Sequence, residues 1–270
     1  MKKLAALSAI LSVVALAQPV HAAAIRDAAS FTNILNRNDD GSTGQVNLGF
    51  SALINGTTYT QTYVNNNGNV TFNNPLGTFT PAAISGGAFG PIIAAFFADV
   101  DTRANTSDVV RYGAANLGGR NVFGVNYIDV GVFSQQNILN SFQMILTDRS
   151  DVAAGDFDIE FNYDRILWEA GTASNAPPGG LGGTSALVGY WTSPTSNYTL
   201  PGSLVNGALI DGGPNALISN SLNSNVDGRY IFRVRGGNVV SVPAPATLAL
   251  VGLALLAAGT ARSGRRKTQG

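Results

Sequence analysis

Carboxylates are the only reactive side chains that this sequence offers in quantity. It contains 16 Asp and Glu residues, no Cys and a single His, His21. Lys occurs only at Lys2, Lys3 and Lys267, so residues 25–242 contain no imidazole, thiol or amine side chain. Ser-His-Asp triads, Cys nucleophiles, Schiff-base chemistry and zinc or copper sites each need one of those groups. The chemistry left to this region is that of hard oxygen ligands and carboxylic acids.

Two groups of Asp residues are candidates for binding calcium, which takes about six to eight oxygen ligands. One group ends an apolar stretch in the sequence ADVDTR, and the other lies in a turn between two strand-like stretches. The predicted ligands are Asp99, Asp101, Asp148, Asp151, Asp156 and Asp158. In the alternative interpretation, Asp99 or Asp101 caps a turn and pairs with Arg103, while the second group is a solvated hairpin tip.

A glycosidase would need two carboxyl groups about 5 to 9.5 Å apart across a cleft. Glu160 and Glu169 are the Glu residues of the sequence. In DFDIEFNYD (156–164), however, Glu160 shares a polar strand face with Asp158, where both are expected to be solvated and of ordinary acidity. We therefore predict that the chain is not an enzyme and needs no cofactor, with calcium as the alternative.

Three aromatic residues are candidates for stacking against sugar rings, namely Trp168, Tyr190 and Trp191. Flat aromatic faces bury large areas and combine an apolar body with a polar edge. The competing interpretation, which we favour, is that these residues end strands and pack in the core.

The elements that must position these residues are strands. Residues 156–164 alternate between apolar and polar types, whereas residues 91–100 are apolar on both faces and predict a central strand. Residues 57–64 are rich in Thr and Tyr and lie between Asn-Gly dipeptides, which favour hairpin turns. Because no stretch in 25–242 sustains a helical period, we predict an all-β antiparallel sandwich, with a barrel as the alternative.

The N-terminus has the pattern of a secretory signal peptide over residues 1–24. Lys2 and Lys3 precede an apolar stretch (4–17) that is too short to span a membrane, and small residues follow it. The remaining domain, residues 25–240, is predicted to fold outside the cytoplasm. Residues 25–242 contain all 16 carboxylates and ten Arg, a net charge of −6 that makes nucleic acid an improbable partner.

Residues 241–270 combine a Pro pair, an apolar stretch and a basic end. A helix over 246–261 would be about 24 Å long, short of the roughly 30 Å apolar thickness of a bilayer. Arg262 and the basic residues after it resist translocation, and Pro243 and Pro245 keep the preceding segment extended. The pattern predicts a hydrophobic helix that anchors the chain transiently and is then removed by processing. The alternative is a simple membrane anchor that is never processed.

Several motifs in the strand region resemble the nidogen-like domain family in type and order. They are YVNNNGNVTFNN (63–74), PIIAAFFADVDTR (91–103), VVRYG (109–113), NSFQMILTDRS (140–150), FDIEFNYDRILWEAG (157–171) and TSALVGYW (184–191). The resemblance covers roughly residues 45–192. It implies a role in cell-matrix adhesion, although fold alone does not fix function.

The C-terminal segment resembles the PEP-CTERM sorting signal of Gram-negative bacteria. The residues that carry this resemblance are Val242, Pro243, Ala244, Pro245, Ala246, Thr247, Leu248, Arg262, Arg265, Arg266 and Lys267. Ala244 stands where the motif usually has Glu. The resemblance implies processing by an exosortase and a setting of extracellular polysaccharide.

Together these features predict an exported adhesion protein of the cell surface or extracellular matrix, in an exopolysaccharide or biofilm context. Its predicted partners are an exosortase-type enzyme, extracellular polysaccharide or matrix components, and the membrane before processing. A secreted polysaccharide-processing enzyme that uses Asp and Glu carboxylates is the alternative, and a structural coat subunit is a third interpretation.

Overall fold

The computed structural model describes residues 24–240. The predicted hydrophobic C-terminal helix and, apart from Ala24, the predicted signal peptide lie outside these residues. Within them the chain forms fourteen strands and three short 3₁₀ turns at Ala28–Ser30, Thr172–Ser174 and Leu217–Ser219.

The strands are as follows in chain order. They are β1 (Asn33–Leu35), β2 (Val46–Ile54), β3 (Thr57–Asn65), β4 (Asn69–Thr71), β5 (Ile92–Phe97), β6 (Val100–Asp101), β7 (Val110–Leu117), β8 (Arg120–Val132), β9 (Gln135–Asp148), β10 (Phe157–Arg165), β11 (Leu187–Ser193), β12 (Ser196–Thr199), β13 (Arg229–Arg235) and β14 (Asn238–Val240).

These strands make two antiparallel sheets. The eight-stranded sheet has the order β1-β7-β8-β9-β10-β13-β14, with β6 also paired to β8. The six-stranded sheet has the order β12-β11-β5-β4-β3-β2. Over residues 24–240 the sheets do not close into a barrel, so the predicted all-β sandwich is confirmed and the barrel alternative is wrong.

The predicted meander forms because its turns use residues that tolerate positive φ. Asn55 and Gly56 have φ values of 46° and 78° between β2 and β3. Gly68 has φ of 77° between β3 and β4, and a Cβ there would lie 1.8 Å from the carbonyl oxygen of Phe96. Only glycine allows β5 to approach this turn so closely.

Large aromatic side chains fill the space between the sheets. Phe96 on β5 packs against Phe142 on β9 and against Trp168, with ring centroids 5.3 and 5.6 Å apart. The predicted central strand β5 is buried at every residue. Its other face packs on a smaller cluster that includes Ile84 and Leu187.

One expectation about β10 is wrong. Glu160 was expected to be solvated, yet it is only 6% exposed, and Asn162 on the same face is fully buried. The reason is that the chain segment 24–31 lies over this face of the eight-stranded sheet. Arg26 exchanges two hydrogen bonds with Gln143, and its guanidinium pairs with Glu160 at 3.0 Å.

Candidate functional site

Three chain segments meet at the end of β5. They are the loop 36–41 that crosses from β1 in one sheet to β2 in the other, the turn 65–69 between β3 and β4, and the residues 98–103 that follow β5. Because each connects strands of the packed sheets, the framework fixes where their polar side chains meet.

The loop 36–41 is tied to the segment after β5 by several hydrogen bonds. Thr102 donates its backbone N–H to the Asn38 carbonyl, and Asn38 donates its own to the Thr102 hydroxyl, both at 3.0 Å. The Arg37 guanidinium donates to the carbonyl oxygens of Thr102, Ala104 and Ser107 at 2.6–2.8 Å. These contacts hold the following residues, Asp39 and Asp40, in place.

Asn66 and Asn67 join the other two segments. The Asn66 amide donates to the carbonyl oxygens of Asp39 and Val100. The Asn67 amide donates to the Asp40 carboxylate at 2.9 Å and accepts the backbone N–H of Val100, also at 2.9 Å. The two Asn side chains therefore bridge the loop and the end of β5.

Asp39, Asp40 and Asp99 form what we call the acid cluster. One carboxylate oxygen from each lies within 4.8 Å of the others. Asp99 is only 1% exposed. Arg103 pairs with Asp39 at 3.1 Å but lies closer to Asp101, to which it donates two side-chain hydrogen bonds at 2.9 and 2.6 Å. The alternative prediction that Asp101 pairs with Arg103 is confirmed.

The electrostatics of the acid cluster favour protonation. Burial, and then the neighbouring charges of Asp39, Asp40 and Asp101, raise the pKa of Asp99 to about 7, although Arg103 opposes this. Burial and repulsion from Asp101 and Asp40 raise the pKa of Asp39 to about 6. A cation placed among these oxygens would reverse both effects.

The other predicted calcium ligands have different neighbours. Among residues 24–240, the acid cluster is the one group of three carboxylates close enough to share an ion, and Asp99 is its only member from the predicted set. Asp151 pairs with Arg120 and Arg149, Asp158 pairs with Arg149 and Arg235, Asp148 accepts from Ser150, and Asp156 accepts the backbone N–H of Gly236. The carboxylates of the second predicted group are thus already bonded to arginines or to backbone N–H groups.

Both Glu residues are held by charged or backbone partners. Glu160 is held by Arg26 and Arg229. Glu169 is fully buried and accepts the backbone N–H groups of Gly207 and Leu209, both at 2.7 Å. Burial raises the pKa of Glu169 despite these hydrogen bonds. Both carboxyl groups hold parts of the fold together.

The three aromatic candidates lie in separate environments. Trp168 is 0% exposed in the main core, so neither of its faces is open to a ligand. Trp191 packs on the smaller cluster beside β5 and donates its indole N–H to the Ser85 carbonyl. Tyr190 points to the opposite side of β11 and stacks on Tyr198, with centroids 6.2 Å apart.

Tyr190 and Tyr198 line an open cleft of about 330 Å³ between β12 and β14. Phe232 forms its floor with ring centroids 5.3 and 5.6 Å from the two Tyr rings, and Asn197 and Asn223 are on its rim. The cleft therefore combines aromatic rings with amide groups, as ligand pockets do.

A comparison with known protein families identifies this domain. Residues 60–236 match the nidogen-like domain. The chain belongs to the nidogen-like domain family. The match includes the turn 65–69 and the whole of ADVDTR, whereas Asp39 and Asp40 precede it. It also runs beyond the region of resemblance in the sequence and takes in β13.

Curated relatives of this nidogen-like chain include the alpha-tectorins. The mouse and human proteins are each 32% identical over 232 residues, which covers 74% of this chain and 10% of theirs. The chicken protein is 31% identical over 242 residues, covering 79% of this chain and 10% of its own. This chain thus spans about a tenth of the length of these relatives. No solved structure matches it.

The C-terminal segment matches the PEP-CTERM protein-sorting motif over residues 241–267, even though Ala244 replaces the usual Glu. The motif implies export and processing by an exosortase, and the nidogen-like domain supports an extracellular location. All the predicted sorting residues, from Val242 to Lys267, lie outside the described residues. None of the helices within 24–240 is long and apolar enough to cross a membrane.

Sequence reasoning missed Asp39, Asp40 and Asn66. The doublet in NDDG (38–41) marks a turn, but nothing local connects it with Asp99 some 60 residues later. The usable signal is the polar run NNNG (65–68) beside a strand, because buried Asn side chains must be hydrogen-bonded to something.

Proposed function

We propose that this chain is a non-enzymatic adhesion protein of the cell surface or extracellular matrix, which acts in an exopolysaccharide or biofilm context. The observation that carries this proposal is the presence, in one chain, of a nidogen-like domain and a C-terminal sorting motif. The nidogen-like domain is the part that acts outside the cell, and the sorting motif directs the chain to an exosortase. We further propose that the C-terminal helix anchors the chain in the membrane only until it is processed.

The contacts of the two Glu residues support a binding role over a catalytic one. A glycosidase acid must reach the glycosidic oxygen, yet Glu169 is fully buried and committed to two backbone N–H groups. Glu160 is held between two arginines. A polymer that binds this domain would meet no free carboxyl pair at either residue.

We assign the cleft at Tyr190 and Tyr198 to contact with extracellular polysaccharide. Tyr198 is partly exposed in the cleft, whereas Tyr190 and Phe232 are 6% and 5% exposed and support its ring. The amide nitrogens of Asn197 and Asn223 donate to backbone carbonyls, which leaves their side-chain oxygens to accept from sugar hydroxyls. Such a shallow site binds weakly, so that many copies on one surface would give avidity.

The test is retention of cells on the polysaccharide of the producing organism. A strain that lacks this chain should be retained less than a strain that carries it, and the full chain should restore retention. A chain with Tyr198→Ala should bind isolated polysaccharide up to about tenfold more weakly, because a lost aromatic contact is worth about 0.5–1.5 kcal/mol.

Tyr112→Ala is the matched control, since Tyr112 is also partly buried but lies on β7, which belongs to the other sheet. It should leave polysaccharide binding unchanged. Unaltered retention without the chain would refute adhesion, and release of reducing sugar by the purified chain would instead indicate the polysaccharide-processing enzyme.

A further inference from the structure

The acid cluster contains buried oxygens that no donor satisfies. Within residues 24–240, Asp39 Oδ1, Asp99 Oδ2 and Asn66 Oδ1 are buried and accept no hydrogen bond. All three are acceptors, and burying such a group without a partner destabilises the folded state. Buried polar atoms in folded proteins almost always have a hydrogen-bond partner. We therefore expect a bound cation, which accepts electron pairs, at these oxygens.

Asn66 supplies an observation independent of the carboxylates. It is fully buried, and its amide nitrogen is already committed to the carbonyl oxygens of Asp39 and Val100. These two bonds hold the Asn66 amide between the loop that carries Asp39 and Asp40 and the segment after β5 that carries Asp99. Its Oδ1 has no donor, and Asn side-chain oxygens are among the ligands that calcium takes beside carboxylates.

The geometry points to a calcium site formed by the side chains of Asp39, Asp40, Asp99 and Asn66. Calcium binds oxygens at about 2.3–2.6 Å, so ligands on opposite sides of the ion are up to about 5 Å apart. The three carboxylate oxygens lie within 4.8 Å of one another. Four side chains leave room for water to complete a coordination number of about six to eight.

The charge balance also favours a divalent cation. Four carboxylates, those of the cluster and of Asp101, share Arg103 as their neighbouring cation, and Arg103 is half exposed. Its guanidinium lies nearest to Asp101, with 2.6 Å between Nη2 and Oδ2. A bound Ca²⁺ would offset most of the excess negative charge and tie the loop 36–41 to the turn 65–69 and to the end of β5.

The experiment is calcium titration of the purified full chain by isothermal calorimetry, with melting curves in EDTA, in CaCl₂ and in MgCl₂. We expect saturable binding of one Ca²⁺, with a Kd of about 10⁻⁴–10⁻³ M, in the range of extracellular modules. Calcium should raise the Tm by several degrees over EDTA, and magnesium should raise it less.

Two variants locate the site. Asp99→Asn removes the buried charge, and Asp40→Asn removes an exposed charge while keeping an oxygen that can accept from Asn67. Both should weaken calcium binding at least tenfold. Asp151→Asn, which removes an exposed carboxylate elsewhere, should bind calcium as the wild type does.

Absence of saturable calcium binding, or equal melting curves in EDTA and CaCl₂, would overturn the inference. Equal calcium affinity in wild type and in Asp40→Asn would place any bound ion elsewhere, and a stronger response to magnesium would overturn the assignment to calcium. Because polysaccharide retention is measured separately, either result is distinguishable from failure of the adhesion proposal.

Discussion

Two carboxylate-rich regions of this domain differ in their counter-ions. On the outside of the eight-stranded sheet, which we call the arginine-paired face, acids alternate with arginines. Its acids are Asp151, Asp158 and Glu160, and its cations are Arg26, Arg120, Arg149, Arg229 and Arg235. In the acid cluster, Asp39, Asp40 and Asp99 depend on Arg103, which is committed mainly to Asp101.

The pKa values follow this difference. Hydrogen bonds from Arg120 and Arg149 lower the pKa of Asp151 to about 2, whereas burial and like charges raise that of Asp99 to about 7. An acid that is already paired gains little from a metal ion, and an acid that lacks a counter-ion gains much. A count of carboxylates is therefore a poor guide to ion sites, and their pairing is a better one.

The largest expected effect comes from removing a cation from the arginine-paired face. Arg229→Met would leave Glu160, whose side chain is 8% exposed, with Arg26 as its remaining cation and the Asn162 amide as a neutral donor. Breaking a buried pair costs about 3–5 kcal/mol, and the remaining Arg26 reduces this to about 2 kcal/mol. The Tm should fall by about 4–8 °C, which calorimetry or circular dichroism can measure.

The double variant Arg229→Met with Glu160→Gln is its control. Removing both charges should restore at least half of the lost stability, because the buried carboxylate is no longer uncompensated. If the double variant is as unstable as Arg229→Met, the loss comes from packing, and the electrostatic contrast between the two regions is wrong.

An intermediate effect concerns pH. The folded-state pKa values of Asp99 and Asp39, about 7 and about 6, lie above the ordinary value of 3.8. The native state therefore binds more protons than the unfolded state between about pH 4 and pH 7, and stability falls as the pH rises through this window. In EDTA, the Tm should be a few degrees lower at pH 8 than at pH 5.

Asp99→Asn should flatten this dependence, because it removes the group with the higher pKa. In EDTA at pH 8 it should melt at or above the wild-type temperature, since it relieves repulsion among the carboxylates. A wild-type Tm that rises between pH 5 and pH 8 in EDTA would show that repulsion among the carboxylates of the acid cluster does not destabilise the folded state.

The smallest effect is expected at the exposed end of the arginine-paired face. Asp151→Asn removes a surface acid, while Arg149 keeps its 2.7 Å contact with Asp158. Surface ion pairs contribute little, so the Tm should change by less than about 2 °C at neutral pH. A larger fall in Tm would mean that ion pairs stabilise this turn even though Asp151 is exposed.

The fold was predictable because its signals are local. Alternation in DFDIEFNYD, the doubly apolar stretch 91–100 and the Asn-Gly turns each depend on residues adjacent in sequence. The burial of Glu160 was not predictable, because Arg26, which covers it, lies 134 residues away in the chain. Similarly, the exposure of a strand face depends on what the rest of the chain places over it.

The candidate site was likewise predictable only in part. The sequence singled out Asp99 and offered the Asp101–Arg103 pair as one interpretation, since these residues are neighbours in ADVDTR. It grouped Asp99 with Asp101, its neighbour in the chain, although the carboxylates that share its site are those of Asp39 and Asp40. Proximity along the chain was the only available guide, and antiparallel pairing of distant strands overrides it.

By itself, the sequence determined which chemistry is available to this protein and how it is delivered. Without His or Cys in 25–242, any metal site there must be built from oxygen ligands, and the two termini carry export and sorting patterns. Only the tertiary structure decided which carboxylates are neutralised by arginine and which are left together. That choice depends on packing between sheets, which brings the loop 36–41 onto the end of β5 through contacts with no local pattern in the chain.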